Sequence, residues 1–133
     1  MKKRLLLLLA MPLLFVGCSK KDPSPANPTT PGQGPAEYQV VYTVTAVKYT
    51  SARIIYRDNT GTVVTEENVP LPKTYSFKRT MKSPDAVSCG VFPAGGDNSY
   101  SVSANITLNG TTVSSVTAIG PDPQTVVASY ILP

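Results

Sequence analysis

Apolar and polar residues alternate with a period of two along most of the chain from residue 38 onward. Tyr38, Val40, Tyr42, Val44 and Ala46 hold every second place in the first run. Ala52, Ile54 and Tyr56 do so in the second, with Arg53 and Arg57 on the opposite face. That period marks a strand whose two faces meet different surroundings. It continues through Thr62–Thr65, through Tyr75 and Phe77 set between Ser76 and Lys78, and through Val87, Cys89 and Val91. The cleanest stripe is Tyr100, Val102, Ala104, Ile106 and Leu108, and Asn109-Gly110 follows it directly. An Asn-Gly pair suits a tight hairpin turn in which both central residues need φ > 0, so a return strand is predicted from Thr111 to about Ala118. A closing strand is predicted over Thr125–Leu132. Asp58-Asn59-Thr60-Gly61 reads as a turn. Pro70 and Pro72 are expected to break pairing, and Pro93-Ala94-Gly95-Gly96 to end the fifth run. No window sustains a 3.6-residue period. The pattern predicts an all-β domain, a small immunoglobulin-like β-sandwich of about seven strands.

The beginning of the chain follows a different rule. Lys2-Lys3-Arg4 precedes an apolar segment from Leu5 to Phe15, which is too short for a bilayer-spanning helix of about 20 residues. A basic start, a short apolar stretch and small residues after it are the three parts of a secretory signal, here residues 1–17. Phe15-Val16-Gly17-Cys18 resembles the bacterial lipobox, with Phe15 where that motif usually has Leu. The resemblance implies cleavage before Cys18 and a diacylglyceryl group on its thiol, which makes the membrane a partner of this chain. Residues 18–36 carry five prolines among small and polar residues. Such a segment cannot build a core and reads as an extended tether rising ~3.1 Å per residue. The β-sandwich then occupies residues 37–133. Ser19 stands where some inner-membrane lipoproteins have a retaining Asp, and Lys20-Lys21-Asp22 resembles a surface-export signal. Together they place the protein in the bacterial cell envelope, lipid-anchored at the outer membrane, on a face the sequence leaves open.

Composition alters this picture in one respect. The formal charge of +4 suggests a nucleic-acid partner, but the excess lies ahead of the domain in Lys2, Lys3, Arg4, Lys20 and Lys21. From Glu37 onward seven basic residues face seven acidic ones. Phosphate-backbone binding needs a basic patch, so no nucleic-acid partner is expected. Cys89 is then the only thiol of the mature domain and reads as a small buried hydrophobe.

Chemistry is sparse. The chain has no His, which removes Ser-His-Asp and Cys-His nucleophilic systems and most zinc sites. Glu66 and Glu67 are neighbours, but on a strand they point to opposite faces. Pro93–Asn98 lacks the Gly-Lys-Ser/Thr of a phosphate loop and the oxygen ligands of a calcium loop. Asn105-Ile106-Thr107 and Asn109-Gly110-Thr111 match a glycosylation pattern and read as coincidental in a bacterial chain. No catalytic residue, metal or cofactor is expected. The candidate binding surface comprises Tyr49, able to stack on a sugar ring beside Lys48 and Thr50, and the short basic run Lys78 and Arg79.

The order of motifs resembles one family. Tyr38-x-Val40-x-Tyr42-x-Val44 leads to Ala52-Arg53-Ile54-Ile55-Tyr56 and an Asp/Asn/Gly turn. Asn68-Val69-Pro70-Leu71-Pro72 precedes an aromatic strand, and Ile106-Thr107-Leu108-Asn109-Gly110 comes late. This resembles the β-sandwich domain of MmpS-type proteins over roughly residues 38–132. It differs in having a lipobox in place of their transmembrane helix, and Lys73 where they commonly have Trp. The resemblance implies a periplasmic accessory to an RND-type envelope transporter. The residues themselves point instead to a non-catalytic lipoprotein that presents a binding module to a protein or glycan partner at the outer membrane or cell surface.

Overall fold

Alternation becomes eight strands. The structure, a computed structural model, describes residues 34–94, 100–120 and 125–133. The secretory signal, Phe15, Val16 and Gly17 of the lipobox, Cys18, the tether before residue 34 and residues 95–99 and 121–124 lie outside the described residues. The strands are β1 (Ala36–Val47), β2 (Ser51–Arg57), β3 (Val63–Pro70), β4 (Lys73–Met81), β5 (Ala86–Ala94), β6 (Tyr100–Leu108), β7 (Thr111–Gly120) and β8 (Val126–Ile131). They form two antiparallel four-stranded sheets, ordered β4-β1-β6-β7 and β3-β2-β5-β8. The protein is therefore an all-β sandwich, with eight strands where about seven were expected.

Only β2–β3 and β6–β7 are hairpins within one sheet; every other connection crosses to the opposite sheet. As a result β1 neighbours β4 in one layer while β2 neighbours β5 in the other. Immunoglobulin domains interlock their B and E strands and their C and F strands in the same way. The outer strands are arranged differently, because the β6–β7 hairpin extends the first sheet beyond β1.

The core is what the period of two implies. Val40, Tyr42 and Val44 of β1 and Val102, Ala104 and Ile106 of β6 are fully buried. They face Ala52 and Ile54 of β2, Val87, Cys89 and Val91 of β5, and Val126 and Ala128 of β8. Each fully buried aliphatic side chain contributes about 1.5–3 kcal/mol relative to exposure, and the two stripes together make the layer that holds the sheets against each other.

The turns are chemically specific. Asn109 and Gly110 have φ of 50° and 80°, as the Asn-Gly pair requires. Asn109 also ties this hairpin to the neighbouring strand: its Oδ1 accepts from Gln39 N at 2.8 Å, and its N–H donates to Gln39 O at 2.9 Å. In the β2–β3 turn Asp58 Oδ1 accepts from Thr60 N, Thr60 Oγ1 and Thr62 N, and Gly61 sits at φ +87°.

Two prolines lie within strands. Pro70 lies inside β3, opposite Ser51, and Pro93 lies inside β5, opposite Ala52. Both are tolerated because one side of the strand is open at that point. β3 is an edge strand, and pairing of β5 with β8 stops at Val91. A missing N–H at either position removes no ladder bond on the open side.

Candidate functional site

Three surfaces of the sandwich gather polar or aromatic groups, and they differ in what remains free to meet a ligand. The first lies where edge strands β3 and β4 approach across the open side. Tyr56 and Tyr75 are tilted against each other with ring centroids 4.3 Å apart, and Tyr42 meets Tyr56 and Phe77 edge-on. Glu66 binds both hydroxyls: Tyr56 donates to Oε1 and Tyr75 to Oε2, each at 2.9 Å. Burial first, and then the Glu66 carboxylate, raises the Tyr56 hydroxyl to about 12 and shifts Tyr75 in the same direction. Burial likewise raises Tyr42, whose hydroxyl donates to Arg57 O, to about 12. With both oxygens of Glu66 occupied and the phenols held neutral, this cluster is a clasp between the sheets. Glu67, its sequence neighbour, faces solvent on the other side.

The second surface is the outer face of β3-β2-β5-β8. The Arg53 guanidinium lies 4.5 Å over the Phe92 ring, and Val127 and Ile131 stand exposed on β8. Arg53 covers the Phe92 ring, and exposed aliphatics are common on the surfaces of folded proteins.

The third surface is the outer face of β4-β1-β6-β7, where a shallow groove of about 410 Å³ crosses β1, β6 and β7. Strand register builds it in rows. Thr43, Asn105 and Ser115 stand side by side, and so do Thr45, Ser103 and Thr117. Thr107 and Thr112 continue the lining at one end. Strands lie ~4.8 Å apart and same-face residues about 6.8 Å apart along a strand, so the rows form a regular lattice of hydroxyls around one amide. None of the lining side chains is charged or aromatic. Ser103 Oγ and Thr117 Oγ1 share a hydrogen bond at 2.8 Å. Asn105 Oδ1 is shielded and accepts no hydrogen bond among the described residues. A shielded acceptor without a donor costs about 1–3 kcal/mol.

The residues singled out from sequence do not form one surface. Tyr49 is only 5% exposed and belongs to the core, so its ring offers no face to a sugar; this corrects its assignment as a stacking aromatic. Lys78 and Arg79 are adjacent in β4, so the strand sends them to opposite faces. Lys78 stays in solvent, donating to Glu37 at 2.8 Å, and that contact raises its pKa. Arg79 is buried beneath the β2–β3 turn and donates to Ala86 O at 2.8 Å. The basic pair is therefore not a patch. The sequence does not reveal the groove, because Thr and Ser on outward strand positions look like ordinary solvent-facing residues. The available signal was the run Ser101, Ser103, Asn105, Thr107, which carries no charge on the outward face of β6.

Burial raises the Cys89 thiol to about 12, which makes it inert. No group of three or more potential metal ligands occurs among the described residues. Comparison with protein-family models, with curated proteins and with solved structures yields no match to this chain.

Proposed function

We propose that the chain is a non-catalytic, lipid-anchored cell-envelope protein whose sandwich binds a neutral carbohydrate across the outer face of the β4-β1-β6-β7 sheet. The observation that carries this reading is the uncharged lattice of Thr43, Asn105 and Ser115 beside Thr45, Ser103 and Thr117. Hydroxyl side chains both donate and accept, which is what a row of sugar hydroxyls requires of its receptor. An anionic ligand would call for cations, and the groove has none. Cys18 and the proline-rich segment supply the setting, a module held at a membrane and extended away from it.

Titration of the chain with neutral oligosaccharides, and with acidic ones alongside, tests this. Binding is expected for the neutral set, with little dependence on salt because no ion pair forms. Thr43→Lys, which places an ammonium in the groove on a solvent-facing position, should abolish it while leaving the circular dichroism spectrum unchanged. Absence of binding across the panel, or binding that Thr43→Lys leaves intact, overturns the reading.

A further inference from the structure

Edge strands leave a row of backbone N–H and C=O groups without a partner strand, and β proteins normally guard them. The four edges of this sandwich are β4, β7, β3 and β8. Three carry recognisable guards. On β3 these are Glu66, Glu67, a register irregularity against β2 and Pro70. Lys73, Lys78 and Arg79 lie along β4. β8 is only six residues long, and its Ser129 N–H is taken by Ser114 Oγ reaching over from β7.

β7 differs from all three. Its ten residues, Thr111–Gly120, include no charge and no proline. One bulge falls near its start, where Ile106 pairs with Ser114 but Thr107 with Thr112. From Ser114 to Gly120 its pairing with β6 is regular, and Ile119 on this stretch is 79% exposed.

We propose that β7 is a dimerisation edge: two copies of the chain pair antiparallel through Ser114–Gly120 and join their sheets into one of eight strands. Symmetry and charge both select a second copy as the occupant. A strand antiparallel to itself is related by a twofold axis, so the contact is isologous and closes at two copies. Self-pairing of β3 would set glutamates near glutamates, and self-pairing of β4 would gather lysines; like charges across strands are destabilising. β7 meets its own copy without that repulsion, through Thr, Val and Ser side chains suited to a pleated ladder. The twofold axis stands perpendicular to the joined sheet, so the grooves of both copies open on the same face. The dimer does not depend on the carbohydrate reading.

Sedimentation velocity on the chain from residue 18 onward, carrying Cys18→Ser to remove the lipidation site, tests this from about 1 μM to about 1 mM, a range spanning moderate to weak association. A concentration-dependent dimer is expected. Thr117→Lys, in the middle of the regular stretch, should return it to monomer at concentrations where the parent is mostly dimeric. Thr43→Lys adds the same charge on central strand β1 and should leave the dimer intact while removing carbohydrate binding. A monomer throughout, growth beyond the dimer, or a dimer that Thr117→Lys does not weaken overturns the proposal. A parent chain that dimerises but binds no carbohydrate would instead overturn only the groove reading.

Discussion

Gly61→Ala is the substitution whose effect the structure specifies most closely. Gly61 has φ +87° in the β2–β3 turn, and a Cβ there would lie 2.5 Å from Arg79 Nη2 and 3.0 Å from its Cζ. An L side chain in a left-handed conformation costs about 1–2 kcal/mol. Arg79 cannot yield freely, since it is 9% exposed and its Nη1 donates to Ala86 O at 2.8 Å. Losing a hydrogen bond from a charged donor costs about 1.5–3 kcal/mol, partly offset as the displaced guanidinium regains water. The sum is a loss of about 2–4 kcal/mol, or roughly 10–30 °C in Tm for a domain of this size. Urea unfolding followed by far-ultraviolet circular dichroism measures it. Repeating the substitution in an Arg79→Met background separates the two causes: only the backbone cost should remain, so the coupling between the sites should be about 1–2 kcal/mol. A loss below about 0.5 kcal/mol, the usual range of an unconstrained surface change, would refute the reasoning. So would equal losses in the two backgrounds.

Alkaline pH should destabilise the fold: Tyr42 and Tyr56 are raised from 10.0 to about 12, with Tyr75 shifted the same way. A folded pKa above the unfolded one means the stabilisation is complete below pH about 10 and is lost as pH rises through about 12. Urea midpoints that stay level across that window would contradict this. In Glu66→Gln the Tyr56 phenol should ionise at lower pH by ultraviolet titration, because the carboxylate that holds its proton is gone; an unchanged curve would remove Glu66 as a cause. Cys89, fully buried with its thiol raised to about 12, should react with a disulfide reagent only as fast as the Cys18→Ser chain unfolds, and rapid native labelling would refute its burial. In cells, Cys18→Ser should abolish lipid incorporation and membrane fractionation. Protease shaving of intact cells then distinguishes a surface module, cut while a periplasmic control survives, from a periplasmic transporter accessory, protected until the outer membrane is opened.

Sequence legibility varied with the range of the interaction. The Asn109-Gly110 hairpin was readable because positive φ at both positions is a local demand that few residue pairs meet. The core stripes of β1 and β6 were readable because a two-residue period leaves only the choice of which face turns inward. Pro70 misled, since a proline is forbidden or harmless according to whether the strand has a neighbour on that side. Tyr49 misled for a related reason: flanked by Lys48 and Thr50, it looks like a rim residue, yet the turn into β2 directs its ring into the core.

By itself the sequence determined the all-β class, the hydrophobic faces of the strands, the tight hairpin and the lack of histidine-based chemistry. Each of these depends on residue type and near-neighbour spacing. Tertiary structure alone decided which strands lie side by side. Thr43 and Asn105 are 62 positions apart, and only the β1–β6 register makes them neighbours in one groove. The same holds for Arg79 under Gly61, for Glu66 between Tyr56 and Tyr75, and for β7 as the edge without a charge. Sheet order sets these contacts through non-local hydrogen bonding, and no local pattern in the chain encodes it.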